Sequence, residues 1–346
     1  MFEASSMERR FRRPRPVLNE TLSPPLTMAS PRSLRIVFLG TPGFAAVCLE
    51  RLLETRHEVV GVVTAPDRPA GRGRQMKASE VKEVALRHGL PLAQPEKLKA
   101  PDFLDTLQSW APDLGVVVAF RMLPELVWKA PPMGTVNLHG SLLPDFRGAA
   151  PIHWAVIHGE KVSGASTFLL QHQIDTGHIL GRTEVAVGDN DTTGILHDRI
   201  LEAGRHLLAE TVDALADGTA VATPQEDAGP HGNAPRKAPK LFKEDGRIDW
   251  GQPAQKVHNL VRGLHPFPGA WTTLPDGQTL RIHQSLLSQL NMGGEPGTVH
   301  AHKGGMTVQC GDGAVDLVRV QPQGKPAMPV KDFLNGWRLD LRKLGD

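Results

Sequence analysis

TVNLHGSLLPDFRGAAPIHW, residues 135–154, changes character twice within one short stretch. It starts β-branched and apolar, as a strand buried in a parallel sheet does, and Gly140 ends that pattern. Side chains alternate along a strand, so Asn137 and His139 project from one face at its C-terminal end. Open α/β sheets bind ligands at that edge. Residues 141–144 and Arg147-Gly148 then form a rigid turn, and residues 149–158 read as a helix with Pro151 tolerated in its first turn. Taken singly, the amide is a cap and the imidazole a packed core residue. A polar pair sharing one face, followed by a Gly/Pro/Arg turn, points instead to a site. None of the 15 histidines lies in an HExxH run or beside a cysteine pair, so no metal spacing is present.

Working outward, residues 34–39 form a first strand, residues 40–43 (GTPG) a turn, residues 44–55 a helix and residues 58–64 a second strand. The GxGxxG pattern is absent and no acidic residue closes the second strand, which argues against a dinucleotide site. Residues 65–78, APDRPAGRGRQMKA, set Arg68, Arg72, Arg74 and Lys77 against one Asp. A solvated surface loop is the ordinary fate of such a run; its place at the ligand edge favours phosphate or RNA contact. Ser79 caps a helix to residue 89, a short strand at 91–93 and a helix at 102–110 follow, and LGVVVAF at 114–120 is a central parallel strand. Strands at 164–171 and 179–187 bracket residues 173–177, and Asp191 or Thr192 caps a long packing helix that runs to about residue 217. The sum is a Rossmann-like, mostly parallel α/β sheet over residues 34–218.

Residues 219–243, rich in Pro, Gly and Lys, read as a linker. Beyond them come a helix at 254–262 and strands at 270–274, 280–286, 297–302, 306–310 and 315–321, which suits an OB-like β-barrel over residues 244–338. Such a module commonly carries nucleic acid and serves equally well as a scaffold. Charge is unevenly spread: six Arg against three Glu give residues 1–33 a charge of +3, and 15 Lys/Arg against 10 Asp/Glu give residues 230–346 a charge of +5. The total is +2, so the middle carries −6, the asymmetry of a basic partner-binding module on an acidic catalytic one. Residues 1–33 have no apolar periodicity and are expected to be a disordered extension, with Met28 a possible start. Cys48 and Cys310 are far apart, which fits a reducing cytoplasm, and no window approaches the run of about 18 apolar residues that a membrane span needs.

Asn137-Leu138-His139-Gly140-Ser141-Leu142-Leu143-Pro144, Arg147-Gly148-Ala149-Ala150-Pro151-Ile152, Trp154 and Asp175-Thr176-Gly177 resemble the signature of the formyltetrahydrofolate-dependent formyltransferases. Gly40-Thr41-Pro42, residues 66–73 (PDRPAGRG) and residues 246–250 (GRIDW) resemble the branch of that family that acts on methionyl-tRNA. The likeness runs from about residue 34 to 337. It implies formyl transfer from 10-formyltetrahydrofolate to the α-amino group of methionyl-initiator tRNA, without metal or membrane, by a cytoplasmic monomer. On this resemblance Asn137, His139 and Asp175 are catalytic: the first two stabilise a tetrahedral oxyanion, and Asp175 raises the basicity of His139 and relays the amine proton. Folate contacts fall on Phe120, Met122, Leu123, Ser141, Leu142, Leu143 and Pro144, and the folate site is expected to lie wholly within the first domain. Contacts with tRNA fall on Arg68, Arg72, Arg74, Lys240 and Lys243. The family's Tyr-Gly-Leu-Ile-Leu-Pro type segment is one residue shorter here, with Arg121 at the glycine. Two other readings stay open: a sister transferase or formyl hydrolase acting on a different amine, and an RNA-binding protein without activity.

Overall fold

The structure is a computed structural model that describes residues 32–70, 75–225, 234–290, 293–336 and 342–345. The extension read at residues 1–33 lies, but for its last two residues, outside them. The first part runs β1 (Arg35–Gly40), α1 (Gly43–Leu53), β2 (Glu58–Val63), β3 (Arg68–Ala70), β4 (Gln75–Lys77), α2 (Glu80–Arg87), β5 (Leu92–Ala93), α3 (Pro101–Ser109) and β6 (Leu114–Val118). It continues with α4 (Glu125–Trp128), β7 (Thr135–His139), β8 (Arg147–Gly148), α5 (Pro151–His158), β9 (Val162–Leu169), β10 (Ile179–Ala186) and α6 (Thr193–Ala216). Seven strands pair in the order β10-β9-β7-β6-β1-β2-β5. The five from β7 to β5 are parallel, and β9 runs antiparallel to both its neighbours.

Period-two alternation sorts the strand residues onto two faces. On one, Ile36, Phe38, Val116, Val118, Val136, Leu138 and Ala165 join a continuous core with α1, α2 and α6. On the other, Val37, Leu39, Val63 and Val117 pack against Phe103 and Leu107 of α3. The helix α6 buries Leu196, Ile200, Leu207 and Leu208 at helical spacing, and the Thr192 hydroxyl accepts from the Ile195 amide at 3.4 Å to start it. Ser79 caps α2 in the same way, accepting from the Lys82 amide at 3.1 Å. Residues 68–77, read from sequence as a loop, begin and end in the β3–β4 hairpin. Its strands lack apolar alternation, so periodicity carries no signal of a pairing made by backbone alone.

The second part runs β11 (Lys237–Ala238), α7 (Ala254–Gly263), β12 (Ala270–Thr273), β13 (Thr279–Leu287), β14 (Val299–His302), β15 (Gly305–Gln309), β16 (Ala314–Pro322), β17 (Met328–Pro329) and α8 (Val330–Gly336). Its antiparallel sheet has the order β12-β13-β16-β15-β14, with β17 added on β16, and encloses a core of its own that includes Trp250, Ile282, Val308, Leu317 and Phe333. The five long strands are those the turn spacing predicts; α8 has no counterpart in the sequence reading. Residues 342–345 bridge the ends of the sheet. The Val299 amide donates to the Arg342 carbonyl at 2.8 Å, the Leu344 amide to Gly297 at 2.9 Å and the Gly345 amide to Thr273 at 3.0 Å, with Leu344 buried in the core. This strip extends the β domain past residue 338.

The two cores meet where α5 packs on α7, with Ile157 of α5 reaching into the second core. Arg262, buried in this seam, donates to the carbonyls of Gly188 and Asp191 at 3.3 and 3.0 Å. The Thr193 hydroxyl donates to the Gly263 carbonyl at 2.6 Å, and His258 Nε2 lies 3.1 Å from the Asp189 carbonyl. A buried guanidinium is tolerated because such acceptors replace its water.

Candidate active site

Val136 and Leu138 of β7 point into the helix-covered core, so Asn137 and His139 must emerge on the opposite face. There Asn137 lies between Val117 of β6 and Phe168 of β9, and His139 is opposite Ser166. His139 is buried, with Nε2 2.9 Å from the Phe146 carbonyl. That oxygen can only accept, so Nε2 carries a proton and Nδ1 is the atom left for chemistry. Nδ1 faces Asp175 Oδ2 at 3.9 Å, beyond direct hydrogen-bond reach and within ion-pair distance. The Asn137 side chain is half-buried and, among the described residues, has no hydrogen-bond partner, which leaves both its N–H donors available to a ligand.

Asp175 sits between β9 and β10 with a left-handed φ of 54°, a conformation that strains a residue with a side chain. Its Oδ2 accepts from the Gly148 amide at 3.0 Å, and the Gln225 side-chain nitrogen donates to the carbonyls of Asp175 and Gly177 at 2.9 and 2.8 Å. Gly148 has φ 130°, and a Cβ there would stand 2.4 Å from the Ala238 carbonyl, so only glycine permits the β8–β11 pairing. Phe146 is left-handed as well, at φ 60°, and presents its carbonyl to His139. Its amide donates to the Arg236 carbonyl at 2.7 Å, and the Arg236 guanidinium stacks 4.5 Å from its ring while pairing with Asp145 and Glu160. Burial pulls the Arg236 pKa down, but the hydrogen bonds to Glu160 and Asp145 outweigh it and hold it above its ordinary value.

The turn after β7 is tied down on its inner side. Ser141 Oγ donates to the Asp145 carbonyl at 2.6 Å, Ser166 Oγ to the Ser141 carbonyl at 2.7 Å, the Leu143 amide to Ser166 Oγ at 3.0 Å, and Arg182 to the Leu143 carbonyl. Of the turn residues read as folate contacts, Ser141, Leu143 and Pro144 are buried and Leu142 is half-buried. Phe120 and Leu123 pack on the α3 side of the sheet, whereas Met122 is 75% exposed. Arg121 donates to the carbonyls of Pro95 and Glu96, which moors the shortened segment to the loop after β5. Burial and then the neighbouring charge of Arg68 push its pKa down.

Two stretches of the linker, residues 223–225 and 236–238, thus bond directly to the segments that carry Asp175 and the Phe146 carbonyl facing His139. The Thr223 amide and carbonyl pair with Ile179, Gln225 and Arg236 make the contacts above, and Ala238 is fully buried. Composition could not give this, because a Pro/Gly-rich run has the same signature whether it is docked or solvated. The connector's Gln225 and Arg236, and the sheet's Ser166 and Arg182, were all missed in the sequence.

Of the basic residues read as tRNA contacts, Arg68 is exposed on β3, and the base of its hairpin is held where Asp67 meets Lys82 at 2.5 Å and Gln94 at 2.8 Å. Arg72 and Arg74 lie outside the described residues. Lys240 stands 5.4 Å over Phe242 and Lys243 5.8 Å over Trp271, all at the entry to the β domain. An open depression of about 550 Å³ beside β5 and α3, lined in part by Pro95, Lys97 and Phe103, holds none of Asn137, His139 or Asp175. Among the described residues no group of three or more His, Cys, Asp or Glu is placed to hold a metal, and no helix is long and apolar enough to cross a membrane.

The family model described as formyl transferase matches residues 34–212, and that described as formyl transferase, C-terminal domain, matches residues 240–338. Methionyl-tRNA formyltransferase of Bacteroides fragilis is 45% identical over 311 residues, covering 88% of this chain and 96% of its own. The Flavobacterium johnsoniae protein of the same name is 41% identical over 306 residues, with the same coverage. Among solved structures, WlaRD, a sugar 3N-formyl transferase, covers 85% of this chain and 99% of its own at a TM-score of 0.60 and 15% identity. HypX of Aquifex aeolicus, solved in complex with tetrahydrofolic acid, covers 90% of this chain at a TM-score of 0.57 and 19% identity. This chain spans about half the length of HypX. At these identities the two structures speak to the fold alone.

Proposed function

The chain belongs to the formyl transferase family, and from that premise we infer that it transfers a formyl group from 10-formyltetrahydrofolate to the α-amino group of methionyl-tRNA. The observation that carries the reading is the Asn137 amide, unpartnered among the described residues, beside a His139–Asp175 pair, in a chain alignable over 88% of its length with methionyl-tRNA formyltransferases. We read residues 34–218 as the catalytic unit, 219–243 as connector, and 244–338 with the strip at 342–345 as the unit that grips tRNA. The initiator tRNA is the acceptor, and the protein acts as a cytoplasmic monomer.

In this reading Asn137 donates a hydrogen bond to the oxygen on which negative charge develops, a contribution of about 3 kcal/mol per donor. The attacking amine is neutral in good part near neutral pH, since α-amino groups titrate at about 7.7–8.0. His139 Nδ1 receives charge or a proton as the amine adds, with Nε2 anchored on Phe146. Asp175, at 3.9 Å, stabilises the imidazolium and relays the proton toward the departing nitrogen. Half-buried Phe120, Leu123 and Leu142 and exposed Met122 offer apolar surface for the folate ring, while backbone groups of the turn at 141–144 supply its polar contacts. Arg68, Arg72, Arg74, Lys240 and Lys243 neutralise tRNA phosphates.

The rival is a sister transferase acting on a nucleotide-sugar amine. The match to the C-terminal family model and the exposed lysines with their aromatic neighbours favour tRNA. One assay tests both: purified protein with 10-formyltetrahydrofolate and either methionyl-tRNA or a nucleotide-linked amino sugar. Formylmethionyl-tRNA is the expected product, and transfer to the sugar alone would overturn the reading.

A further inference from the structure

We propose that Gln225, at the start of the connector, is a positioning residue that sets the Asp175 carboxylate against His139. Its amide is fully committed. Nε2 spends both hydrogens, on the Asp175 carbonyl at 2.9 Å and the Gly177 carbonyl at 2.8 Å, and Oε1 accepts Arg147 Nε at 3.1 Å and Nη2 at 2.8 Å. The partners also dictate its orientation: a flipped amide would set oxygen against two carbonyls and nitrogen against two guanidinium donors.

One side chain therefore clamps the two loops on either side of the reacting pair. Arg147 precedes Gly148, whose amide holds Asp175 Oδ2 at 3.0 Å, and Asp175 is the strained residue at φ 54° whose own carbonyl Gln225 grips. Asp tolerates a left-handed φ better than most residues, and what selects that conformation for Asp175 is its surroundings. Those surroundings are the Gly148 amide on the carboxylate and the Gln225 amide on the backbone. Without Gln225 the loop swings, the 3.9 Å separation from His139 is lost for most of the time, and proton transfer slows while substrate surfaces stay in place. A residue acting in this way lowers kcat and spares KM.

The proposal rests on the formyl-transfer reading for its rates, so its test has an arm that needs no activity. Gln225→Met keeps length and removes all four hydrogen bonds. It is expected to lower kcat for formyl transfer roughly tenfold or more, with both KM values within about threefold of wild type. In an Asp175→Asn background the same change should cost less than about threefold, because the carboxylate it positions is already gone. Gln225→Glu keeps the acceptors for Arg147 but loses the donors to Asp175 and Gly177; it should fall with Gln225→Met and not with wild type. Independently, hydrogen exchange at the Gly148 amide should quicken at least tenfold in Gln225→Met while amides of β6 and β7 keep their protection. Equal losses with and without Asp175, or unchanged Gly148 exchange, would overturn the proposal. A wild-type protein that transfers no formyl group to methionyl-tRNA, with Gly148 exchange still responding to Gln225→Met, would sink the activity and leave the clamp standing.

Discussion

The two faces of the seven-stranded sheet are made by the same strands and do opposite work. Toward α1, α2 and α6 the side chains are apolar and sealed, from Leu34 and Phe38 across to Ala165. On the other face the cover of α3 stops short of β7 and β9, which present Asn137, His139 and Ser166 beside a small apolar cluster of Leu143, Phe168 and Ile179. The cover there is irregular chain: the segments that hold Phe120 to Leu123 and Asp175, tied by side-chain to backbone bonds. A period of two lets one strand supply packing on one face and candidate site residues on the other, and a one-residue slip of β7 would exchange the faces.

The contrast can be broken from either side. The largest expected effect is on the sealed face: Phe38→Ala removes a fully buried ring and should cost about 3–5 kcal/mol of stability. Urea unfolding would measure it, and turnover per folded molecule should stay near wild type; a rate loss well beyond the loss of folded protein would show that the faces are not independent. On the open face the reverse is expected. His139→Ala, Asn137→Ala and Asp175→Ala should each cut turnover about a hundredfold or more, equivalent to about 2.7 kcal/mol, with melting temperature little changed. Steady-state kinetics beside a thermal melt decides it, and a His139→Ala enzyme of near-normal rate would remove the residue from the chemistry.

Acid sharpens the comparison by acting on a third place, the seam. Burial lowers the pKa of His258 and of His153, each of which bonds across the seam between the two cores. Each then binds fewer protons folded than unfolded, so stability is full above the ordinary histidine value near 6.5 and is lost as pH falls below it toward the depressed folded value. The melting temperature should drop by several degrees between about pH 7.5 and pH 5.5, and His258→Gln should flatten that drop. A melt independent of pH would show that these rings are not held neutral. The smallest effect belongs to a cap on the sealed side: Ser79→Ala, which also loses the 2.8 Å contact with Thr64, should cost about 1 kcal/mol with no change in rate.

Local patterns in the sequence were enough for the longer strands, the cap at Ser79 and the shared face of Asn137 and His139, since each depends on residues a few positions apart; the cap of α6 was left between Asp191 and Thr192. The resemblance added Asp175, which no periodicity could have joined to His139. What could not be read depends on partners far along the chain. The mooring of Arg121 reaches back 25 residues, the grip of Gln225 on Asp175 spans 50, and that of Arg236 on Asp145 spans 91. The turn at 141–144 is held by both kinds of partner: Ser141 donates its hydroxyl to Asp145, four residues on, whereas Leu143 packs with Phe168 of β9, 25 residues on.

The strip at residues 342–345 bears on how the protein is handled at the bench. Its backbone is stitched to Gly297, Val299 and Thr273, and Leu344 plugs the small core, so it works as the last stave of a cask. A fluorescent fusion or degradation peptide joined directly behind it would pull on the seam between β12 and β14, and its effect on melting would be read as an effect of the cargo. The exposed turn at Lys303 and Gly304, between β14 and β15, projects from the same β domain without closing anything. A reporter inserted there would leave the stave seated.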